Sequence, residues 1–188
     1  MEEATLSDIG ARHAMLREAT RLQHRSLDAR IGALADKADY RRYLEMMTGF
    51  RCAVEEALPD KFGAFEKLSL RSALLADCRD LGLAWRQKIF AFDLGAGRED
   101  ILGAAYVIEG ASLGAKIISF RARALGLRED FGARHLAMQT ADSSRWTRFQ
   151  QLLESESDLC GERLRRAATA TFTFALHVAE SIEHAATR

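Results

Sequence analysis

The segment Tyr106–Ala115 reads YVIEGASLGA, and it decides how the rest of this chain is interpreted. It places Gly110 and Gly114 on one face of what otherwise reads as a long amphipathic helix, and Gly103 precedes them. Each glycine inside a helix costs about 1 kcal/mol relative to alanine. Two explanations are open: a neighbouring backbone packs closely against the bare helix, or a large flat ligand lies there.

Composition favours an all-α chain. Of its 188 residues, 48% are apolar and 29% are charged, there is a single proline, Pro59, and β-branched residues are sparse. The length suits one domain with a substantial core, and no linker or repeat divides it. The sequence therefore predicts a single-domain multi-helix bundle spanning 1–188, with 1–10 as a loose N-terminal tail.

The charge balance excludes several classes of partner. The 27 basic and 27 acidic residues cancel, so no overall field favours nucleic acid or an anionic membrane. No apolar run approaches the roughly 20 residues of a membrane span, and the acidic start does not resemble a signal peptide. Three widely spaced cysteines form no metal-binding motif and suit a reducing, cytoplasmic location: Cys52, Cys78 and Cys160.

Periodicity and capping residues predict seven or eight helices with short connections. Asp39, Ser69, Asp100 and Asp158 are the expected starts of four of them. The expected ranges are 11–31, 40–58, 69–81, 100–125, a helix from Asp142 or Ser143 to 155, and 158–185, with a short apolar segment at 85–92.

The first helix carries the second informative pattern. Leu16, Thr20, His24 and Leu27 recur at helical spacing, so His24 is expected to point inward with the leucines. A lone inward histidine is more often a structural core residue than a ligand. An imidazole in an apolar crevice is nevertheless what axial heme ligation requires. Arg17, two turns earlier, is close to the same face, where it is either solvated or available to a heme propionate.

His13 competes with His24 for this role. It lies about three turns earlier on the same face, and only one of the two can stand opposite the glycine helix. His24 is nearer the middle of the helix, which favours it as the ligand.

Together these segments resemble the heme oxygenase family. Residues 16–27 match a pattern like L-[RK]-x-x-T-x-x-x-H-x-x-L, and 106–115 match a helix like Y-V-L-E-G-S-x-L-G-G. An aromatic W-x-x-F element appears at 146–149. The order and spacing fit most of the chain, from about residue 16 to 174. The glycine segment most resembles the bacterial branch that includes enzymes encoded beside bacteriophytochromes.

The resemblance implies O2-dependent cleavage of heme b, at once substrate and cofactor, to biliverdin, CO and Fe2+. His24 corresponds to the axial iron ligand on the proximal side. Gly110 and Gly114 correspond to the distal glycines, where backbone faces the reaction. Arg17 and Tyr106 correspond to positions near the propionates. Electrons would come from an external donor such as a ferredoxin, flavodoxin or reductase, because no flavin or dinucleotide fingerprint is present. A bacteriophytochrome is a possible biliverdin acceptor.

Three departures concern the distal pocket. Ala111 stands where serine is common in the bacterial branch, and Ala115 replaces the last glycine of the family's pair. The distal aspartate of animal-type enzymes is also missing. Ala115 could narrow the pocket or face a neighbouring helix, and without the acid, ordered water would have to organise proton delivery.

Other functions fit less well. A di-iron bundle needs Glu-x-x-His pairs, and no histidine here has Glu three residues before it. A thiamin-degrading bundle needs a cysteine nucleophile, and none of the three is persuasive. A heme-binding or heme-sensing protein without turnover is the alternative. Arginine clusters at 121/123 and 163/165/166 read as solvated helix faces or as a docking surface for an acidic electron donor.

Overall fold

The structure, a computed structural model, describes residues 10–83 and 90–186, and within them the chain forms eight helices and one small hairpin. Residues 1–9 of the predicted tail at 1–10 and most of the apolar segment at 85–92 lie outside the described residues. The helices are α1 Ala11–Ala19, α2 Arg21–Ile31, α3 Lys37–Ala57, α4 Arg71–Asp80, α5 Arg98–Ala124, α6 Arg134–Thr140, α7 Arg145–Ser155 and α8 Gly161–Ala186.

The all-α prediction is confirmed. The only β-structure in the described ranges beyond isolated bridges is an antiparallel hairpin of two-residue strands, β1 Lys61–Phe62 and β2 Phe65–Glu66. A single cluster of buried apolar residues runs through the helices. Helix α5 lies in the middle of it and packs against α6, α7 and α8.

The first predicted helix is divided in two. Thr20 interrupts it, with φ −101° and ψ 2°, between α1 and α2. The Thr20 backbone N–H and hydroxyl both donate to the Leu16 carbonyl, at 3.0 and 2.8 Å. A side chain that bonds back to the i−4 carbonyl competes with the helical ladder and bends it. The prediction of one continuous helix was therefore wrong at this residue.

Two predicted helix starts lie inside the helices they were expected to cap. Helix α3 is capped by Asp36, whose carboxylate accepts the Asp39 N–H at 2.8 Å, so Asp39 belongs to the first turn. Helix α5 is preceded by Gly97, and Asp100 reaches back to accept the Gly97 N–H at 3.2 Å. In both cases a hydrogen bond joins the residue before the helix to an acidic residue three positions later, as is common at helix N-termini.

Two other starts were placed early, and one helix was missed. Helix α4 begins at Arg71, because the Ser69 hydroxyl donates to Glu55 at 2.8 Å. Helix α8 begins at Gly161, because Asp158 has a positive φ of 57°. The short helix α6 lies between two expected helices, the one at 100–125 and the one ending at 155, and was not predicted.

Gly103 is explained by packing. A Cβ at this position would stand 2.6 Å from the Ala167 Cβ and 2.9 Å from the Leu164 carbonyl oxygen of α8. Only glycine lets the two longest helices approach so closely. For this glycine the close-backbone explanation is correct.

Helix α5 also bears on the membrane question. It is, in the described part of the chain, the one helix long and apolar enough to cross a membrane, with a mean hydropathy of 1.5 over 18 residues. The statement that no apolar run approaches that length was therefore wrong. Half of that window is buried inside the protein, as expected for the core helix of a helical bundle.

Candidate functional site

Two contacts join α1–α2 to α5 and frame a candidate cleft between them. Its first end is closed where the buried Tyr106 of α5 meets Thr20, whose hydroxyl is within hydrogen-bonding reach. Its second end is tied where the Arg121 guanidinium of α5 donates to the Gly32 carbonyl at 3.0 Å. Both α2 and α5 pack on α8, which forms the floor.

The contacts at the two ends relate positions along α2 to positions along α5. His24 lies one turn after Thr20 on α2, and Gly110 lies one turn after Tyr106 on α5. A helix rises 1.5 Å per residue, so each stands about 6 Å along its helix from the shared contact. His24 and Gly110 are therefore expected at about the same level along α2 and α5, with Gly114 one turn further.

The α5 wall is apolar and uncovered. Leu113 is 55% exposed and Ile117 58% exposed, and both share the helix face of Gly110 and Gly114. Phe120, further along this side, is 77% exposed. The first half of the same helix, from Leu102 to Glu109, is buried. A contiguous exposed apolar surface on a core helix indicates a binding site.

The glycines of this wall have no packing explanation. A Cβ at Gly110 would make ordinary contact with the Trp146 ring, at 3.5 Å. At Gly114 no atom of the described residues lies within 4 Å of the Cβ position. Alanine would fit both places and stabilise the helix. The open space at these two positions suits a flat ligand that lies against the helix backbone.

His24 is more exposed than expected. Leu16 and Thr20 of the same stripe are buried, but 60% of the His24 side chain is accessible. Its ring meets the edge of Phe172 on α8 at 5.7 Å, and its Nδ1 lies 3.0 Å from an Asp28 carboxylate oxygen. The carboxylate favours the proton on Nδ1, which leaves the Nε2 lone pair free for a metal. The prediction that His24 points inward among leucines was wrong, because it lies in the open cleft.

His13 belongs to the closed end instead. Its ring lies 5.6 Å from Trp146 and 6.0 Å from Tyr106, and its Nδ1 lies 3.0 Å from the Gln150 amide nitrogen. These aromatic contacts make His13 part of the end wall. His24, on the open stretch of α2, is the better placed of the two for an axial ligand.

Tyr106 and Arg17 stand together at this closed end. Burial raises the pKa of Tyr106 to about 12, although the positive charge of Arg17 acts in the opposite direction. Tyr106 is thus a protonated hydrogen-bond donor at neutral pH. Arg17 is exposed, so its guanidinium is accessible to an anionic group at the cleft mouth.

Ala115 does not enter the cleft. It is 2% exposed and belongs to the hydrophobic core, whereas Gly114 beside it is exposed. The substitution of the family's last glycine therefore changes packing within the fold. Ala111 is partly buried at the edge of the wall.

Sequence reasoning missed the polar groups behind α5. Glu109 is buried and forms a two-bond ion pair with Arg145, each N–O distance being 2.7 Å, while Arg145 also covers the Phe65 ring. Arg51, also buried, donates to the Ile108 carbonyl at 2.7 Å. These partners are 36 and 57 residues apart, so no local spacing could have revealed them.

His135, for which the sequence predicts no role, is a buried hydrogen-bond partner of Asp77. Its Nδ1 lies 2.8 Å from Asp77, which also accepts the Arg134 and His135 backbone N–H groups at 3.0 Å. Its Nε2 lies 3.3 Å from the Tyr43 hydroxyl. This network fastens α6 to α3 and α4, away from the cleft walls.

The buried thiols are poor nucleophiles. Burial raises the pKa of Cys52 to about 11 and also raises that of Cys78, which accepts or donates a bond with Thr48 at 3.4 Å. A catalytic cysteine needs a lowered pKa. These two positions therefore lack the environment that the thiamin-degrading alternative requires.

One arginine of each cluster is engaged in contacts within the fold. Arg121 holds Gly32, and Arg163 lies 3.4 Å from Asp100 and 3.9 Å from Glu99. Arg123, Arg165 and Arg166 are exposed.

Comparison of the whole structure with solved structures identifies the architecture. A heme oxygenase from Neisseria meningitidis, determined with NO and CO bound, superimposes with a TM-score of 0.68 over 90% of each chain, at 22% sequence identity. The chain has the heme oxygenase fold. No protein-family model and no curated protein matches the sequence. The expectation of an all-α heme oxygenase-like bundle is thus confirmed at the level of fold.

Proposed function

We propose that this protein is a heme oxygenase, which cleaves heme with O2 to biliverdin, CO and Fe2+ using electrons from an external donor. The observation that carries the proposal is the pairing of His24 with Gly110 and Gly114 on opposite walls of one cleft. The histidine offers a free Nε2, and the opposite wall lacks side chains where a macrocycle would lie. The fold, shared with a heme oxygenase, supports the same interpretation.

His24 would be the axial ligand of the heme iron. Asp28 accepts the Nδ1 proton, which fixes the tautomer and raises the basicity of the ligating nitrogen. Phe172 supports the ring from the α8 floor. Heme supplies the iron that binds O2 and the porphyrin carbon that is oxidised.

Gly110 and Gly114 would act through their backbone. Without Cβ atoms, the peptide groups of α5 come close enough to the macrocycle for direct or water-mediated hydrogen bonds. Leu113 and Ile117 exclude bulk water from the apolar part of the wall. No acidic residue lies between Gly110 and the end of α5, so water held by these peptide groups would have to deliver protons.

Arg17 and Tyr106 would hold the propionates at the first end of the cleft. Arg17 offers a positive charge at the mouth, and Tyr106 offers a hydroxyl that stays protonated at neutral pH. Together with His24 they would fix the rotation of the macrocycle in its plane. The half-buried rings of His13 and Trp146 would limit how far the macrocycle enters.

The proposal extends to the domain, the cellular location, the electron donor and the acceptor of the product. The whole of 1–188 would form one cytoplasmic heme oxygenase domain of the bacterial branch that resembles bacteriophytochrome-associated enzymes. Its electron donor would be a ferredoxin, flavodoxin or reductase, and a bacteriophytochrome would be one acceptor of the biliverdin. Arg165 and Arg166 are exposed and suit docking of an acidic donor.

The test is a heme titration followed by reduction in air. Heme is added to the purified protein, the visible spectrum is recorded, and ascorbate or a ferredoxin system is then supplied. We expect the heme band to disappear as a biliverdin band grows. Binding without decay of the band would instead support the alternative, a heme-binding or heme-sensing protein, which the missing distal acid favours.

A pair of variants tests the axial ligand. His24→Ala should remove the imidazole signature from the spectrum, while His13→Ala should retain it. The reverse result would make His13 the ligand and overturn the assignment.

A further inference from the structure

Two consecutive carbonyls of α5, immediately before Gly110, accept hydrogen bonds from side chains. The Arg51 guanidinium, through Nη1, donates to the Ile108 carbonyl at 2.7 Å. The Ser112 hydroxyl donates to the Glu109 carbonyl at 2.8 Å. The Ser112 bond lies within α5, whereas the Arg51 bond ties α5 to α3 at the turn where the other face of α5 becomes bare.

The Arg51 side chain is held in one conformation by its hydrogen bonds. It is 1% exposed, its Nε donates to Glu55 at 2.6 Å, and its Nη2 donates to the Leu68 carbonyl at 2.9 Å. Glu55 in turn accepts the Leu70 N–H at 3.0 Å. The planar guanidinium thus joins α3, the segment before α4, and α5 in one geometry.

Stability alone does not require such a group. A buried ion pair can usually be replaced by apolar side chains at little cost in stability, because desolvation offsets the attraction. A charged donor aimed at a helix carbonyl does something that an apolar side chain cannot. It draws the carbonyl outward and bends the helix, and glycines beyond it lower the resistance to bending.

We infer that Arg51 is a positioning residue, which sets the place and curvature of α5 at Gly110–Gly114. Acting through the Ile108 carbonyl, it fixes how closely the glycine backbone approaches a ligand in the cleft. Its relevance to heme rests on the proposed function, whereas its effect on α5 does not.

The first experiment uses the protein without heme. The double variant Arg51→Met/Glu55→Gln removes the guanidinium without leaving a buried charge, and the Gln keeps an acceptor for Leu70. Amide hydrogen exchange across 108–118 should accelerate about tenfold or more, with little change in α8. Lys67→Met is the control, because Lys67 donates to the Glu55 and Leu58 carbonyls and does not reach α5 through those bonds. Equal protection of 108–118 in the double variant and the wild type would overturn the inference.

The second experiment uses bound CO as a probe of the surroundings of the heme in the cleft. In the ferrous CO complex, the C–O stretching frequency responds to the dipoles and donors around the bound CO. We expect the double variant to shift this frequency and to change CO release several-fold, while heme affinity and the Lys67→Met spectrum stay near the wild type. An unshifted frequency would contradict the positioning role. If the wild type failed to bind heme while exchange still accelerated, only the proposed function would fall.

Discussion

Both halves of α5 carry glycine, but the surroundings of the two halves are opposite. From Leu102 to Glu109 the helix is buried, and Gly103 lets α8 come within contact of its backbone. From Gly110 onward one face is open, and Gly114 has free space where a side chain would be. Glycine, which lowers helix stability, thus permits close helix packing in one half and, we propose, close approach of a ligand in the other. The predictions below test that division.

The largest expected effect is on heme binding by Gly114→Leu. The new side chain would occupy the space in which the macrocycle is proposed to lie, so heme affinity should fall about 100-fold, or about 2.8 kcal/mol. The protein without heme should fold normally because the position is open. A heme titration followed by the visible spectrum measures the change. An unaltered affinity would place the ligand elsewhere.

The matched change in the other half is Gly103→Ala. Its Cβ would meet backbone atoms of α8, so the free energy of unfolding should fall by about 1–3 kcal/mol despite the better helix propensity of alanine. Urea unfolding measures it. Heme affinity of the folded protein should stay near the wild-type value. An unchanged unfolding energy would mean that α8 shifts without cost and that the two halves differ less than proposed.

A smaller effect of opposite sign is expected for Gly114→Ala. Removing a helix-interior glycine in open space should raise the free energy of unfolding by up to about 1 kcal/mol. Turnover should decline even so, because the methyl group separates the backbone from the ligand. Thermal unfolding without heme, paired with biliverdin formation, measures both. A destabilised Gly114→Ala protein would reveal a packing role like that of Gly103.

The smallest effect concerns mild acid and the core side of the fold, where α6 packs on α5. Burial lowers the pKa of His135, with Asp77 opposing it, so the folded protein favours the neutral ring. Stability from this group is complete above the unfolded pKa of about 6.5 and declines as the pH falls below it. The free energy of unfolding should therefore decrease between about pH 7 and pH 6, and His135→Leu should remove that slope. A slope retained in the variant would assign it to another group.

Asp77 continues the trend at lower pH. Burial raises its pKa, but the hydrogen bonds from His135 and Arg134 outweigh burial and lower it overall. Its contribution is present above about pH 3.9, the unfolded pKa, and is lost as the pH falls toward the folded value. Both groups thus make acid, rather than base, loosen the attachment of α6.

The sequence was sufficient for the all-α fold and for the long helix around Gly110. Periodicity predicts which residues share a face, and that was enough for these features. It does not predict which helix covers a face. Gly103 and Gly114 therefore looked alike until α8 was placed beside only one of them.

Features that depend on distant partners were not predictable. The break at Thr20 depends on a back-bonded hydroxyl, and neither helix propensity nor spacing marks it. The Asp77–His135 pair and the Arg51–Ile108 bond each join residues more than 50 positions apart. The short helix α6 was missed because those distant contacts, rather than local capping residues, hold it in place.

Helices α1 and α2 are held by different partners, and this has a consequence for the exchange of a ligand. Helix α1 is clamped to α7 by Arg12, which donates to the Leu153 and Glu154 carbonyls at 2.8 and 2.7 Å. Helix α2 meets the far end of α5 through the Arg121 bond to Gly32. Helix α2 is also tied to α8, because Arg30 pairs with Glu180 at 2.6 Å and with Glu183 at 2.5 Å. If α2 moves to admit a ligand to the proposed site, it must release these two pairs together with the Arg121 bond, so ligand exchange should become faster in a variant that lacks both Arg30 and Arg121.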